Sequence, residues 1–186
     1  MKLLTRLILL SVPLLLLSCD ERLQQTDSGG VLLEIDLGNN LPLRESVNTL
    51  VATDSLVNFP TINFVSVVAD PRAPSTSSLM DIQLESLEVT YERVDGGTRL
   101  PPPYVVKILG TVPVGGSLNI ANLEVMSFDQ IAVPPLSDLL FENGGFDKET
   151  GLTYVRMNLY LRAYGRTIGD RPVSSLSRPH TMEFTQ

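Results

Sequence analysis

Residues 153–164 read TYVRMNLYLRAY, and this stretch decides the fold. Thr153, Val155, Met157, Leu159, Leu161 and Ala163 fall on one face. Tyr154, Arg156, Asn158, Tyr160, Arg162 and Tyr164 fall on the other. Strict alternation over so many positions is the period of a β-strand, one face in a core and one in water. A helix would scatter the aliphatic residues around its axis. A long amphipathic strand is stable only among neighbours of the same kind, so the rest of the chain must supply them.

It does so on both sides. Met80–Val94 alternates with one break: Ile82 and Leu84 share a face, and then Leu87, Val89 and Tyr91 do. The change of parity predicts an extra residue, a β-bulge, near Glu85-Ser86. Val31–Leu37 and Thr61–Ala69 are further strands, the first closed by Gly38-Asn39-Asn40 and the second by Asp70-Pro71. Residues 41–60 read as loop with at most a short strand near Val47–Ala52, and residues 70–78 as loop. Asp95-Gly96-Gly97 makes a tight turn, and Pro101–Pro103 is stiff and extended. Tyr104–Val112 and Ser117–Leu123 flank the turn Pro113–Gly116, and Glu124–Val133 is expected to form another strand. Pro134–Phe141 is the one plausible helical turn, stopped by Asn143-Gly144-Gly145. Gly165–Arg171 turns the chain. Val173–Ser177 and Thr181–Phe184 make a last strand interrupted by Pro179, a residue that guards a sheet edge against pairing.

Many short strands and frequent breakers, with 13 Gly and 13 Pro, predict an all-β fold: an antiparallel β-sandwich of seven to nine strands with at most one short helix. The architecture resembles immunoglobulin domains, without their Cys-Trp-Cys hallmark, since the chain has one Cys and no Trp. One cysteine also excludes a disulfide framework. One Cys and one His are too few for a Cys/His zinc site. A net charge of -7 argues against nucleic acid as a partner.

Residues 1–19 read MKLLTRLILLSVPLLLLSC. Lys2 and Arg6 precede an apolar run, Leu7–Leu17, of the length of a secretory core and short for a membrane span. The run closes on Leu16-Leu17-Ser18-Cys19. This resembles the lipobox of bacterial lipoproteins, although Leu17 departs from the small or β-branched residue usual there. The resemblance implies a diacylglycerol on the Cys19 thiol, cleavage between Ser18 and Cys19, and acylation of the new amino group. It divides the chain into a signal peptide (1–18), a lipidated cysteine and tether (19–30) and one sandwich domain (31–186). It places the protein in the bacterial cell envelope, anchored to a membrane by lipid, with no cofactor beyond that lipid. Asp20 directly after the cysteine marks inner-membrane retention in enteric lipoproteins. Alternatively it simply begins the polar tether DERLQQTDSGG (20–30), whose coil reach is roughly 20 Å. Which membrane holds the protein stays open. Loss of Lys2 and Arg6 leaves 12 basic against 21 acidic side chains, a net charge of -9 that anionic headgroups repel.

Catalytic patterns are absent from the sequence. The lone His180 lies between Pro179 and Thr181 with no serine elbow to serve, and reads as an exposed or half-buried strand residue. The acids Asp36, Glu85, Glu88, Asp95, Glu124, Asp129, Asp138 and Asp147 show no spacing that singles out a pair. Glu88 and Glu92 read as a solvated face. Asp36, Asn39 and Asn40, or Glu142, Asn143 and Asp147, offer oxygen ligands for calcium, but Asx residues beside Gly are ordinary turn formers. Neither catalytic nor metal residues are assigned. What stands out in an acidic chain is the outward row Tyr154, Arg156, Tyr160, Arg162 and Tyr164, since Tyr and Arg are enriched in interfaces. The competing explanation is cross-strand pairing within the sheet. The expected role is a non-catalytic binding or structural part of an envelope assembly, with an envelope protein as partner. The alternatives are a carbohydrate-binding accessory protein using Tyr154 and Tyr160 on a glycan, and an acid-pair hydrolase.

Overall fold

The structure, a computed structural model, describes residues 30–38, 42–70, 72 and 76–186. Cys19, nearly all of the tether, Asn39 and Asn40 lie outside these residues. The chain forms β1 (Val31–Asp36), β2 (Leu43–Ser46), β3 (Val57–Val68), β4 (Ile82–Arg93), β5 (Tyr104–Val112), β6 (Ser117–Met126), β7 (Tyr154–Thr167), β8 (Pro172–Leu176) and β9 (His180–Thr185). One sheet has the order β1-β3-β6. The other has the order β2-β9-β7-β4-β5, with β8 also on β7. Pairing is antiparallel except that β2 runs parallel to β9. With the pair β1 and β2 counted as a split first strand and β8 and β9 as a split last one, seven strands remain. Their order, 1-2-5 against 1-7-6-3-4, is immunoglobulin-like, with the fourth strand kept beside the third.

The decisive alternation of β7 holds along its length. Val155, Met157, Leu159, Leu161 and Ala163 are fully buried between the sheets. They meet Phe59, Ile62 and Phe64 of β3 and Leu87 and Val89 of β4 in one core. Tyr91 on β4 reaches across it, donating its hydroxyl proton to the Val125 carbonyl of β6 at 2.7 Å. The expected bulge is present, with β4 shifting register between Leu84 and Ser86 against both neighbours.

The last strand is interrupted as its proline suggested, but β9 is not the sheet edge that Pro179 was expected to guard, since it lies between β2 and β7. β8 and β9 lie end to end along the same edge of β7. Arg162 pairs with Leu176 but Leu159 with His180, so one extra residue sits between them. Inward positions therefore switch from Val173 and Ser175 to His180, Met182 and Phe184. The one-residue slip returns the aliphatic set to the core.

Three expectations of secondary structure fail. Residues 41–60 are not loop, since β2 lies within them and β3 begins at Val57. Val47–Ala52 is not strand but helix α1. Ser46 caps it by accepting from the Thr49 N–H, and Val47 and Leu50, three apart, are the residues it buries. Glu124–Val133 is not one strand either. β6 ends at Met126, and helix α2 (Phe128–Ile131) follows. Gln130 folds back to accept from the Ser127 N–H at 2.9 Å, so a Ser-x-x-Gln cap decides this segment over its β-branched residues. The domain thus has two short α-helices rather than one at most. The helical turn after Pro134 forms as a 3₁₀ turn, Leu136–Leu139, and Gly144, at φ 110°, stops the turn that follows it.

The two ends of the sandwich differ. At one, Gly30 leads into β1 beside Ala69, near the turns 78–81, 113–116 and 168–171. At the other lie both helices, the loops 94–103 and 127–153, and Gln186, whose carbonyl accepts from Ser46.

Candidate interaction face on the six-stranded sheet

The outward row of β7 lies on the face of the six-stranded sheet turned away from the core. Its register against β4 and β9 determines what each side chain meets. Tyr160 donates its hydroxyl to Glu92 Oε2 at 2.5 Å, and Tyr164 to Glu88 Oε2 at 2.9 Å. Both are diagonal contacts, since Glu92 stands opposite Asn158 and Glu88 opposite Arg162. Arg156 binds Glu183 on β9 at 2.5 Å, and Arg44 on β2 binds the other oxygen of the same carboxylate. The Arg156 guanidinium also lies 5.4 Å from the Tyr154 ring centre. Thr181 donates to Asn158, and Arg166 reaches Glu85 and Asp170.

All five residues of the expected surface therefore lie on one face, and each is tied to a neighbour on that face, Arg162 through the Tyr164 hydroxyl. Arg162 completes the row opposite Glu88. Glu88 and Glu92 are not merely solvated, because each accepts a tyrosine proton. The pairing leaves its mark on proton affinity. Hydrogen bonds from Arg156, and then charge from Arg44, hold the Glu183 carboxyl below its ordinary value against the opposing pull of burial. Burial, and then Glu88, pushes the Tyr164 hydroxyl up. Shallow grooves run along this face. One is lined by Arg44, Arg156, Asn158 and Glu183, another by Glu88, Glu92, Tyr160 and Arg162. At the β5 edge Val105, Lys107 and Leu109 project outward, Leu109 being 91% exposed. The face can offer a partner tyrosine edges, guanidinium groups and carboxylates, by exchanging internal pairs for external ones.

The acids that the sequence left scattered are partly gathered elsewhere. Asp95, Asp138 and Asp147 converge on Arg93 and Arg99 at the helical end. Arg93, with 2% of its side chain exposed, holds both oxygens of Asp95 and reaches Asp147 at 2.8 Å. Arg99 bridges Asp147 and Asp138, each at 2.8 Å. Asp147 is fully buried and also accepts from Thr150 Oγ1 at 2.7 Å. Burial alone would raise the Asp147 carboxyl. The hydrogen bonds from Arg93 and Thr150 outweigh it and hold the group well below the usual carboxylate range. Asp95 is lowered in the same way by Arg93 and by the N–H groups of Arg156 and Gly97. A general acid requires the opposite shift, so this cluster works as a clamp between two loops. Arg93 and Arg99 were not singled out from sequence. The nearest local signals were Asp95-Gly96-Gly97 and Asp147-x-x-Thr150, both turn-forming patterns.

The second calcium set does not come together, and of the first only Asp36 lies among the described residues. The Asp36 carboxylate accepts from the Gly38 N–H, Asn143 donates to the Ser137 carbonyl, and Asp147 belongs to the arginines. Among the described residues no group of three or more His, Cys, Asp or Glu side chains is placed to hold a metal ion. His180 is buried, not exposed or half-buried. Its ring meets Phe59 edge-on at 4.8 Å, and its Nε2 has no hydrogen-bond partner. Burial lowers its pKa, favouring the neutral ring. No protein-family description matches the chain, and comparison with curated proteins finds no relative.

Proposed function

We propose that this is a lipid-anchored protein of the bacterial cell envelope, whose sandwich displays its six-stranded face to an envelope partner without catalysing a reaction. The observation that carries the proposal is the run ending in Leu16-Leu17-Ser18-Cys19. It puts the chain's one cysteine eleven residues before Gly30, which leads into β1 of the sandwich. No helix among the described residues is long and apolar enough to cross a membrane, so the proposed anchor is the acyl chains on Cys19. The buried acids are paired with arginine, which supports a binding role over acid-pair hydrolysis. Cross-linking the lipidated protein in its native envelope tests the partner. A near-stoichiometric protein, lost on Tyr160→Ser and Arg162→Ser, is the expected result. No partner from an efficiently cross-linked sample would overturn it.

One observation favours a second reading. The groove beside Tyr160 combines an aromatic ring, two carboxylates and Arg162, groups that together suit a sugar. Glycan-array binding that disappears on Tyr160→Ala would establish that alternative.

A further inference from the structure

We infer that the end of the sandwich carrying Gly30, Leu79 and Ile168 rests on the lipid surface, with these two apolar side chains set into the headgroup boundary. The inference depends on lipidation of Cys19 as proposed above. Leu79 is 60% exposed and Ile168 45% exposed, yet they belong to one patch. The Gly169 N–H donates to the Leu79 carbonyl and the Ile168 N–H to the Asp81 carbonyl, both at 2.9 Å, so the turns 78–80 and 168–171 are stitched together. The tether leaves from the same place. The Gly30 carbonyl accepts from the Ala69 N–H, and a Cβ added at Gly30 would lie 3.3 Å from Met80 Cε.

Tether length chooses between the two ends. The opposite end is the more apolar, with Val133, Phe141 and Phe146 exposed, Phe141 by 69%. Exposure alone would put that end on the bilayer. The strand β7, 14 residues long, sets the two ends about 45 Å apart. Eleven residues reach at most about 40 Å when fully extended, and roughly 20 Å as a coil. The far end therefore cannot turn to the membrane that holds Cys19. Charge agrees. Near the tether the exposed charges among the described residues are Asp70, Arg72, Glu85, Arg166, Asp170 and Arg171, three of each sign. At the far end exposed Asp129, Glu142 and Glu149 face one lysine, Lys148, and anionic headgroups repel them. Anchoring keeps the patch at high local concentration over the lipid, so two side chains suffice for a lasting contact.

The lipidated full chain tests this. With the Cys19 thiol acylated, a cysteine introduced at position 79, 168 or 141 is the only free thiol and takes an environment-sensitive fluorophore. The proteins Leu79→Cys, Ile168→Cys and Phe141→Cys are placed in vesicles of phosphatidylethanolamine and phosphatidylglycerol, with and without nitroxide-labelled lipid. Quenching of about twofold at 79 and 168, with none at 141, is the expected result. Vesicle-bound protein with no quenching at 79 and 168 overturns the docking and leaves the anchor standing. Quenching at 141, or a blue shift at 79 that follows protein concentration instead of nitroxide, overturns it in favour of the far end or a second copy. Protein that does not float with vesicles and carries no lipid on Cys19 overturns both this inference and the anchor.

Discussion

A single carboxylate, Asp147, shows how much of this molecule depends on charge burial. It is fully buried and shared by Arg93 and Arg99. Asp147→Asn keeps the shape but leaves two guanidinium groups short of a counter-charge. Arg93 retains Asp95 and Arg99 retains Asp138, so the expected loss lies at the low end for a broken buried pair, about 3 kcal/mol, read from urea denaturation. Arg156→Gln removes the 2.5 Å pair to Glu183, where Arg156 is nearly half exposed and screened, and the midpoint should scarcely move. His180 gives a pH signature. Its folded pKa lies below the ordinary 6.5, so the unfolded chain takes up a proton more readily. Stability is full above about pH 6.5 and falls as the pH drops towards the folded value. His180→Phe should abolish the difference between denaturation midpoints at pH 7.5 and 5.5. The depressed carboxylates of Asp95 and Asp147 act lower. Their contribution is present above their ordinary value of 3.8 and is lost as the pH falls further. At this scale the sequence was least informative. Arg93 and Asp147 are 54 positions apart, and no local pattern links them. The burial of His180 was likewise hidden by an extra residue that reverses which side chains point inward.

That extra residue belongs to the element scale. Deleting Pro179 removes the extra residue and leaves His180 opposite Leu159, so β8 and β9 should pair with β7 in one continuous register with His180, Met182 and Phe184 still facing the core. The expected outcome is a cooperative unfolding transition that survives by circular dichroism, as it should on removal of Gln24; loss of the transition on deleting Pro179 would contradict this register. The β4 bulge has a matching constraint. Gly165 stands opposite Leu84, and a Cβ there would strike the Gln83 carbonyl oxygen, a backbone atom. Gly110, across the other neighbour, would meet only the flexible tip of Leu118. Gly165→Ala should therefore lower the melting temperature well below that of Gly110→Ala. Strands were legible wherever alternation ran long, as in β4, β5 and β7, because one buried face imposes a period that few other structures share. The bulge was legible as a parity change within one strand. The two α-helices were not. Val47–Ala52 and Phe128–Ile131 are too short to show a helical period, and their caps, Ser46 and the Ser127/Gln130 pair, outweigh β-branched composition.

At the scale of the whole molecule, the sandwich separates the end that carries Gly30 from a helical end and leaves one broad, paired face between them. The fold class was legible because strand spacing and composition agree with every long alternating segment. The outward position of Tyr154, Arg156, Tyr160, Arg162 and Tyr164 was legible from parity alone, but their partners Glu88, Glu92 and Glu183 were not. Those contacts follow from cross-strand register, which one strand's sequence does not contain. The row is therefore first a brace of the sheet, and a partner must compete with its internal bonds. Tyr160→Phe, which removes only the hydroxyl held by Glu92, should weaken partner binding less than Tyr160→Ser and leave the melting temperature nearly unchanged.

Cys19 is proposed to fasten this domain to a membrane, and the mass of the N-terminal peptide from the membrane fraction is the sharpest check on that anchor. The expected peptide begins at Cys19 and is heavier by a diacylglycerol and, where the amino group is modified, by a further acyl chain. A peptide that still carries Leu16–Ser18, or one that begins at an unmodified Cys19, would contradict it.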